Sequence, residues 1–156
     1  MCDFGGSLES TYYQNKKFLD KIDGVVEQKD FEDDRLKFFY NAEECVKKEK
    51  SNVLVLSSIL QYIEKSYELL DDILKNKFDY ILIDRNSFSK GLERITLQVV
   101  PPAIYEASYP RHFFDESIFM QYFLKKQYSV IESFSGQDDE TENCIFKGII
   151  LEKINA

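Results

Sequence analysis

The sequence predicts an α/β fold, with a mainly parallel sheet that closes on an antiparallel strand pair. Three observations carry this expectation. The runs "NVLVLSS" and "YILID" are unbroken Val, Ile and Leu rather than alternating, as in parallel strands covered on both faces. Helical patterns stand between the strands, which is the order that builds a parallel sheet. The last two strands, "YSVIESF" and "FKGIILEKI", are joined by the polar "SGQDDETEN" without a helix, so they must pair antiparallel.

The elements follow in order. Met1, Cys2 and Asp3 precede the paired glycines Gly5 and Gly6, so the first strand is expected to be incomplete. A helical pattern runs from Leu8 to about Ile22, with Leu8, Tyr12, Leu19 and Ile22 on one face and Ser7 or Ser10 as cap. Gly24 ends it, "VVEQ" reads as a short strand, and "LKFFY" (36–40) as another. "NAEECVKKEK" predicts a short helix capped by Asn41, with lysines in its last turn favouring the helix dipole. "NVLVLSS" is the clearest strand, followed by the amphipathic helix "IEKSYELLDDILKN", with Ile63, Tyr67, Leu70 and Leu74 aligned. After the buried strand "YILID", residues 85–113 read as a long, partly irregular insertion because prolines and polar residues interrupt the pattern. Asp115 caps a last helix, "DESIFMQYFLKK". With no internal repeat or linker, 156 residues predict one domain over 1–156.

Composition narrows the function. The 28 acidic residues outweigh the 20 basic ones, a net charge of -8 that repels phosphate backbones and argues against nucleic acid as partner. Cys2, Cys45 and Cys144 have no paired spacing, and with the single His112 they make no zinc-finger-like site, so no metal is expected. Three reduced thiols, no signal-peptide pattern and no apolar run near the ~20 residues of a membrane helix predict a soluble, cytoplasmic protein without a membrane partner.

In an open α/β sheet, ligands sit beyond the carboxyl ends of the strands. The Gly5-Gly6 turn lets a backbone approach a ligand, and the amides from Ser7 onward suit an anion. Glu27, with Gln28 beside it, ends the second strand roughly 20 residues on, where an acid can bind ribose hydroxyls. Tyr40 and Asn41 follow the third strand candidate, and Ser57 and Ser58 the fourth. Each has a plainer reading: the glycines as a turn, Glu27 as a solvated charge, the serines as a strand terminus.

The phrases "DFGGSLESTYYQNKKFLD", "VVEQKDF", "LKFFY", "LSSILQYIE", "YILIDR" and "VPPAIYEASYP" resemble, in this order, a family of class I S-adenosylmethionine-dependent methyltransferases encoded among bacterial surface-polysaccharide genes. The resemblance covers Asp3 to about Gly148. It implies a Rossmann-like sheet and S-adenosyl-L-methionine as cofactor. Asp3 would then face the cofactor ammonium, Gly5, Gly6 and Ser7 its carboxylate, and Glu27 and Gln28 its ribose. Tyr40 and Asn41 would lie by the adenine, and Ser57 and Ser58 beneath the reacting methyl. On the acceptor side, Tyr62 and Arg85 follow strands, and Tyr105 and Tyr109 belong to the insertion. Aromatic faces and an arginine suit a sugar carrying phosphate or carboxylate.

Three departures stand against the family pattern. The N-terminal extension and the front of the first strand are missing, which points to a fragment boundary or a mistaken start. Glu9 replaces a glycine and brings negative charge toward the cofactor carboxylate. "QKDFEDDR" is shorter than the dozen or so residues of a parallel crossover. Alternative expectations are therefore a degenerate relative without activity, or an acidic module that docks a basic partner protein. An exposed sheet edge would favour a homodimer. His112 is the one histidine, the residue type suited to general-base work near neutrality, yet a hydrogen-bonded structural role beside "FF" is the plainer reading. Ser108, His112 and Asp115 have the types of a hydrolase triad, but no nucleophile elbow surrounds Ser108.

Overall fold

A computed structural model describes residues 1–4, 37, 39–101, 103, 106–135 and 144–154. Strand β1 (Cys2–Asp3) is followed by helix α1 (Ala42–Glu49), β2 (Val53–Ser57), a 3-10 turn (Leu60–Tyr62), α2 (Ser66–Ile73) and β3 (Tyr80–Ser89). Then come β4 (Arg94–Val99), β5 (Ser108–Phe113), α3 (Glu116–Lys125), β6 (Tyr128–Ser135) and β7 (Cys144–Lys153). The main sheet has the order β1-β2-β3-β7-β6. β1, β2 and β3 pair in parallel, and β7 runs antiparallel to both β3 and β6. The parallel run closing on an antiparallel pair is as the sequence predicts, and β1 is two residues long.

The register Leu54↔Ile81↔Leu151 and Leu56↔Ile83↔Ile149 lines up six fully buried side chains on one sheet face. Against them pack Ala42 and Cys45 of α1, Leu70 and Ile73 of α2, and Phe119 and Phe123 of α3. Burying each large side chain contributes about 1.5–3 kcal/mol, so this layer holds the strand ends in place. The helices begin where chemistry allows. Asn41 accepts a hydrogen bond from the Glu44 amide, and Asp115 accepts from the Ser117 and Ile118 amides. Ile63 closes the 3-10 turn, so α2 starts at Ser66, later than the periodicity suggests.

Two expectations need correction. Lys37, Phe39 and Tyr40 are not in a strand; the chain here leads directly into α1. The region after "YILID" is more regular than its composition suggests. β3 continues through Ser89, and β4 and β5 form a two-stranded antiparallel ribbon. Pro110 is tolerated there because, among the described residues, each strand of the ribbon is paired on one edge only, and the other edge requires no amide. The predicted helix 8–22, the strand "VVEQ" and the short crossover after it lie outside the described residues. Among the described residues, no helix is long and apolar enough to cross a membrane.

Candidate functional site

The carboxyl ends of β1 and β2, with the bulge of β3 beside them, gather a set of polar groups. Asp3 ends β1, and the next amide, Phe4, donates to the Val55 carbonyl at 2.9 Å. The Asp3 side chain reaches solvent, yet surrounding protein desolvates its carboxyl and raises its pKa above the ordinary value. Ser57 ends β2, and Ser58 turns the chain away with a left-handed φ of 55°, its amide donating to the Asp84 carbonyl at 2.8 Å.

β3 crosses this end of the sheet through a bulge. Ile83 pairs with Ile149 and Asn86 with Lys147, so Asp84 and Arg85 both oppose Gly148. Arg85 takes a left-handed φ of 48°, a conformation that disfavours side chains with a Cβ. Its Nη2 donates to Ser57 Oγ at 3.1 Å, and its Nε lies 3.6 Å from Asp84 Oδ2. Ser57 in turn donates weakly to Asp84 Oδ2 at 3.5 Å. Beside this bulge a cavity of about 360 Å³ is lined by Leu82, Asp84, Arg85, Phe134 and Ser135.

Gln61, almost fully buried, links the turn after β2 to β3. Its Oε1 accepts from the Ser87 amide at 2.9 Å, and its Nε2 donates to Ser58 Oγ at 3.2 Å. Its neighbour Tyr62 meets Tyr109 of β5 edge to face, with centroids 5.4 Å apart. The ribbon therefore leans on the turn that follows β2, and two of the expected acceptor-side tyrosines touch.

His112 has a structural place. Its ring stacks on Phe114 at 3.9 Å, Nδ1 lies 3.2 Å from Ser66 Oγ and Nε2 3.0 Å from Glu93 Oε1. Glu93 also accepts from Tyr67 Oη and from the Asp115 amide. Burial, and then the Glu93 carboxylate, push the Tyr67 hydroxyl well above the ordinary tyrosine range. Ser108 and the Asp115 carboxylate are not partners of this ring, so the triad types do not assemble. Ser66, His112 and Glu93 do form a chain, but Ser66 is buried with its hydroxyl 2.7 Å from the Ile63 carbonyl, closed to any substrate.

The structure thus brings Asp3, Ser57, Ser58, Arg85, Tyr62 and Tyr109 to one end of the fold. Tyr40 is 91% exposed, and Asn41 spends its side-chain oxygen on the α1 cap. Gly5, Gly6, Ser7, Glu9, Glu27, Gln28 and Tyr105 lie outside the described residues. Sequence reasoning missed Gln61, Asp84 and Phe134. A lone glutamine inside "ILQYI" and an acid closing "YILID" were the available signals.

No family model matches the chain, and none of the curated proteins matches it in sequence. Among solved structures it is similar to an S-adenosylmethionine-dependent methyltransferase from Methanosarcina mazei, at 14% identity and a TM-score of 0.50, covering 67% of this chain and 60% of that one. At that identity the likeness is one of fold alone, an α/β sheet of mainly parallel strands. A methyltransferase from Clostridium acetobutylicum matches at 6% identity and a TM-score of 0.44, covering 67% of this chain and 58% of that one. The N-terminal domain of EvdMO1 with bound SAH matches at 9% identity and 0.46, with coverages of 76% and 53%. The chain therefore spans 60% or less of the length of each of these structures.

Proposed function

We propose that this chain is an S-adenosylmethionine-dependent methyltransferase, acting on a sugar or another small polar acceptor. The observation that supports it is the convergence of Asp3, Ser57, Ser58, Asp84 and Arg85 where the parallel pairing of β1, β2 and β3 ends, the edge of the sheet at which open α/β folds bind ligands. The surface-polysaccharide resemblance supplies the acceptor class.

The residues present suit the cofactor in one testable respect. Desolvation raises the Asp3 pKa, and among the described residues no cation pairs with it, so an arriving ammonium group would be favoured there. Gly5, Gly6, Ser7, Glu27, Gln28, Tyr40 and Asn41 complete the proposed cofactor set. When bound, the cofactor supplies an electrophilic methyl group on a sulfonium. The chain's own task is placement: Ser57 and Ser58 fix the strand end, Arg85 orients the acceptor, and Tyr62, Tyr105 and Tyr109 flank it. His112 serves no step, since both ring nitrogens are already engaged.

Titration calorimetry with S-adenosylmethionine tests this reading. Micromolar binding is expected, weakened by about tenfold in Asp3→Asn through loss of the charge-assisted contact. A folded protein that gives no heat with the cofactor or with S-adenosylhomocysteine would instead support the degenerate relative.

A further inference from the structure

We propose that the cavity beside the β3 bulge is a subsite for an uncharged sugar ring, stacked on Phe134 and held through its hydroxyls by Asp84 and Arg85. That this sugar is the methyl acceptor rests on the reading above; the subsite itself stands on its own geometry. The cavity holds about 360 Å³ and is half open to solvent, a shallow hollow rather than an enclosed pocket. It suits a single ring.

Its lining is chemically mixed in a particular way. Phe134 sits opposite Gly148 across the β6–β7 ladder, and its ring occupies the space where a Cβ of residue 148 would stand. The glycine lets the ring settle onto the strand backbone while the ring also lines the cavity. An aromatic face carries partial negative charge and attracts the weakly positive C–H groups of a pyranose. At the other end, the bulge turns two successive side chains, Asp84 and Arg85, to the same cavity. A carboxylate that accepts and a guanidinium that donates, 3.6 Å apart, match neighbouring hydroxyls that do both.

The same pair sets the charge of the ligand. Arg85 alone would select a phosphate or carboxylate, as the sequence suggests. With Asp84 lining the same cavity, an anionic ligand meets like charge and loses the advantage. The geometry points to a neutral sugar.

Saturation-transfer NMR and calorimetry decide the matter, with the methyl glycosides of glucose, galactose and mannose against glucuronate and glucose 1-phosphate. At least one neutral glycoside should bind with saturation on its ring C–H protons. Binding should weaken by about tenfold in Phe134→Ala and survive in Phe134→Tyr, with circular dichroism confirming the fold of each. The proposal is overturned if no neutral glycoside binds, if the anionic sugars bind as well or better, or if Phe134→Ala binds normally. Cofactor calorimetry on the same samples separates the two readings. Sugar binding without cofactor binding would sink methyl transfer and leave the subsite; the reverse would sink the subsite alone.

Discussion

Glu93 receives three donors: His112 Nε2 at 3.0 Å, Tyr67 Oη at 3.2 Å and the Asp115 amide at 3.0 Å. It thereby ties the segment before β4 to α2, to β5 and to the start of α3. Glu93→Ala leaves these donors without an acceptor in a half-buried place. A loss of about 2–4 kcal/mol is expected in urea unfolding, since breaking a buried network costs more than one hydrogen bond contributes. Gly148 is the opposite case, a residue valued for what it lacks. Gly148→Ala puts a Cβ where the Phe134 ring lies, so the exposed ring must swing off the strand. The same substitution should weaken glycoside binding while leaving cofactor heats unchanged. At this scale the sequence was legible where residue type and strand end coincide. Ser57 and Ser58 sit at the strand end their positions imply, whereas Arg85 lies inside β3, at its bulge, rather than after it. Phe134 was not legible, because its role depends on a cross-strand glycine 14 positions away and on a register no single segment reveals.

Helix α1 shows how an element competes with a site for the same side chain. Asn41 takes extended φ and ψ and accepts the Glu44 amide at 2.9 Å, while Glu44 Oε2 reaches back to the Tyr40 amide at 3.4 Å. Asn41→Ala should cost about 1 kcal/mol, and Asn41→Ser should recover most of it, in chemical denaturation. With Asn41 in the proposed cofactor set, Asn41→Ser should lower cofactor affinity in calorimetry with stability nearly intact; unchanged affinity would leave Asn41 a cap alone. Caps, helix periods and apolar strands were readable because each is local. The second half of β3, "RNSFS", does not read as strand because its polar Asn86 and Ser87 are buried by partners far along the chain. Ser87 donates its hydroxyl to the His112 carbonyl and its amide to Gln61. β4 and β5 were hidden for a related reason. A ribbon paired on one side exposes Ile95, Leu97 and Val99 and admits Pro110, so its composition resembles a loop.

Across the whole molecule, several acids are held in their neutral form by the fold. Burial, with the neighbouring Cys45 thiol second, pushes Cys2 from an ordinary 9.0 up to about 12. Burial, then the Asp79 carboxylate, pushes Tyr128 from 10.0 up to about 12. Tyr67 and Tyr122 move the same way, burial first in each. These groups fasten distant parts together: Cys2 lies on β1, and Tyr128 opens β6 and donates to the Phe78 carbonyl just before β3 at 2.7 Å. The sign follows from proton counts. Above about pH 9 the unfolded chain releases these protons while the folded chain keeps them, so the folded state binds more protons and stability falls as pH rises. The full contribution is present below pH 9.0, the unfolded thiol value, and is lost progressively toward about 12. Added negative charge on a chain already at -8 acts in the same direction. Urea midpoints should therefore vary little between about pH 7 and 8.5 and decline steeply above pH 9.5. Tyr128→Phe loses the bond to Phe78 and is less stable at pH 8, but its decline above pH 10 should be shallower than that of the parent. Parallel declines in the two proteins would mean that Tyr128 ionises as freely in the fold as in the unfolded chain, and that the sheet edge at β6 is open to water.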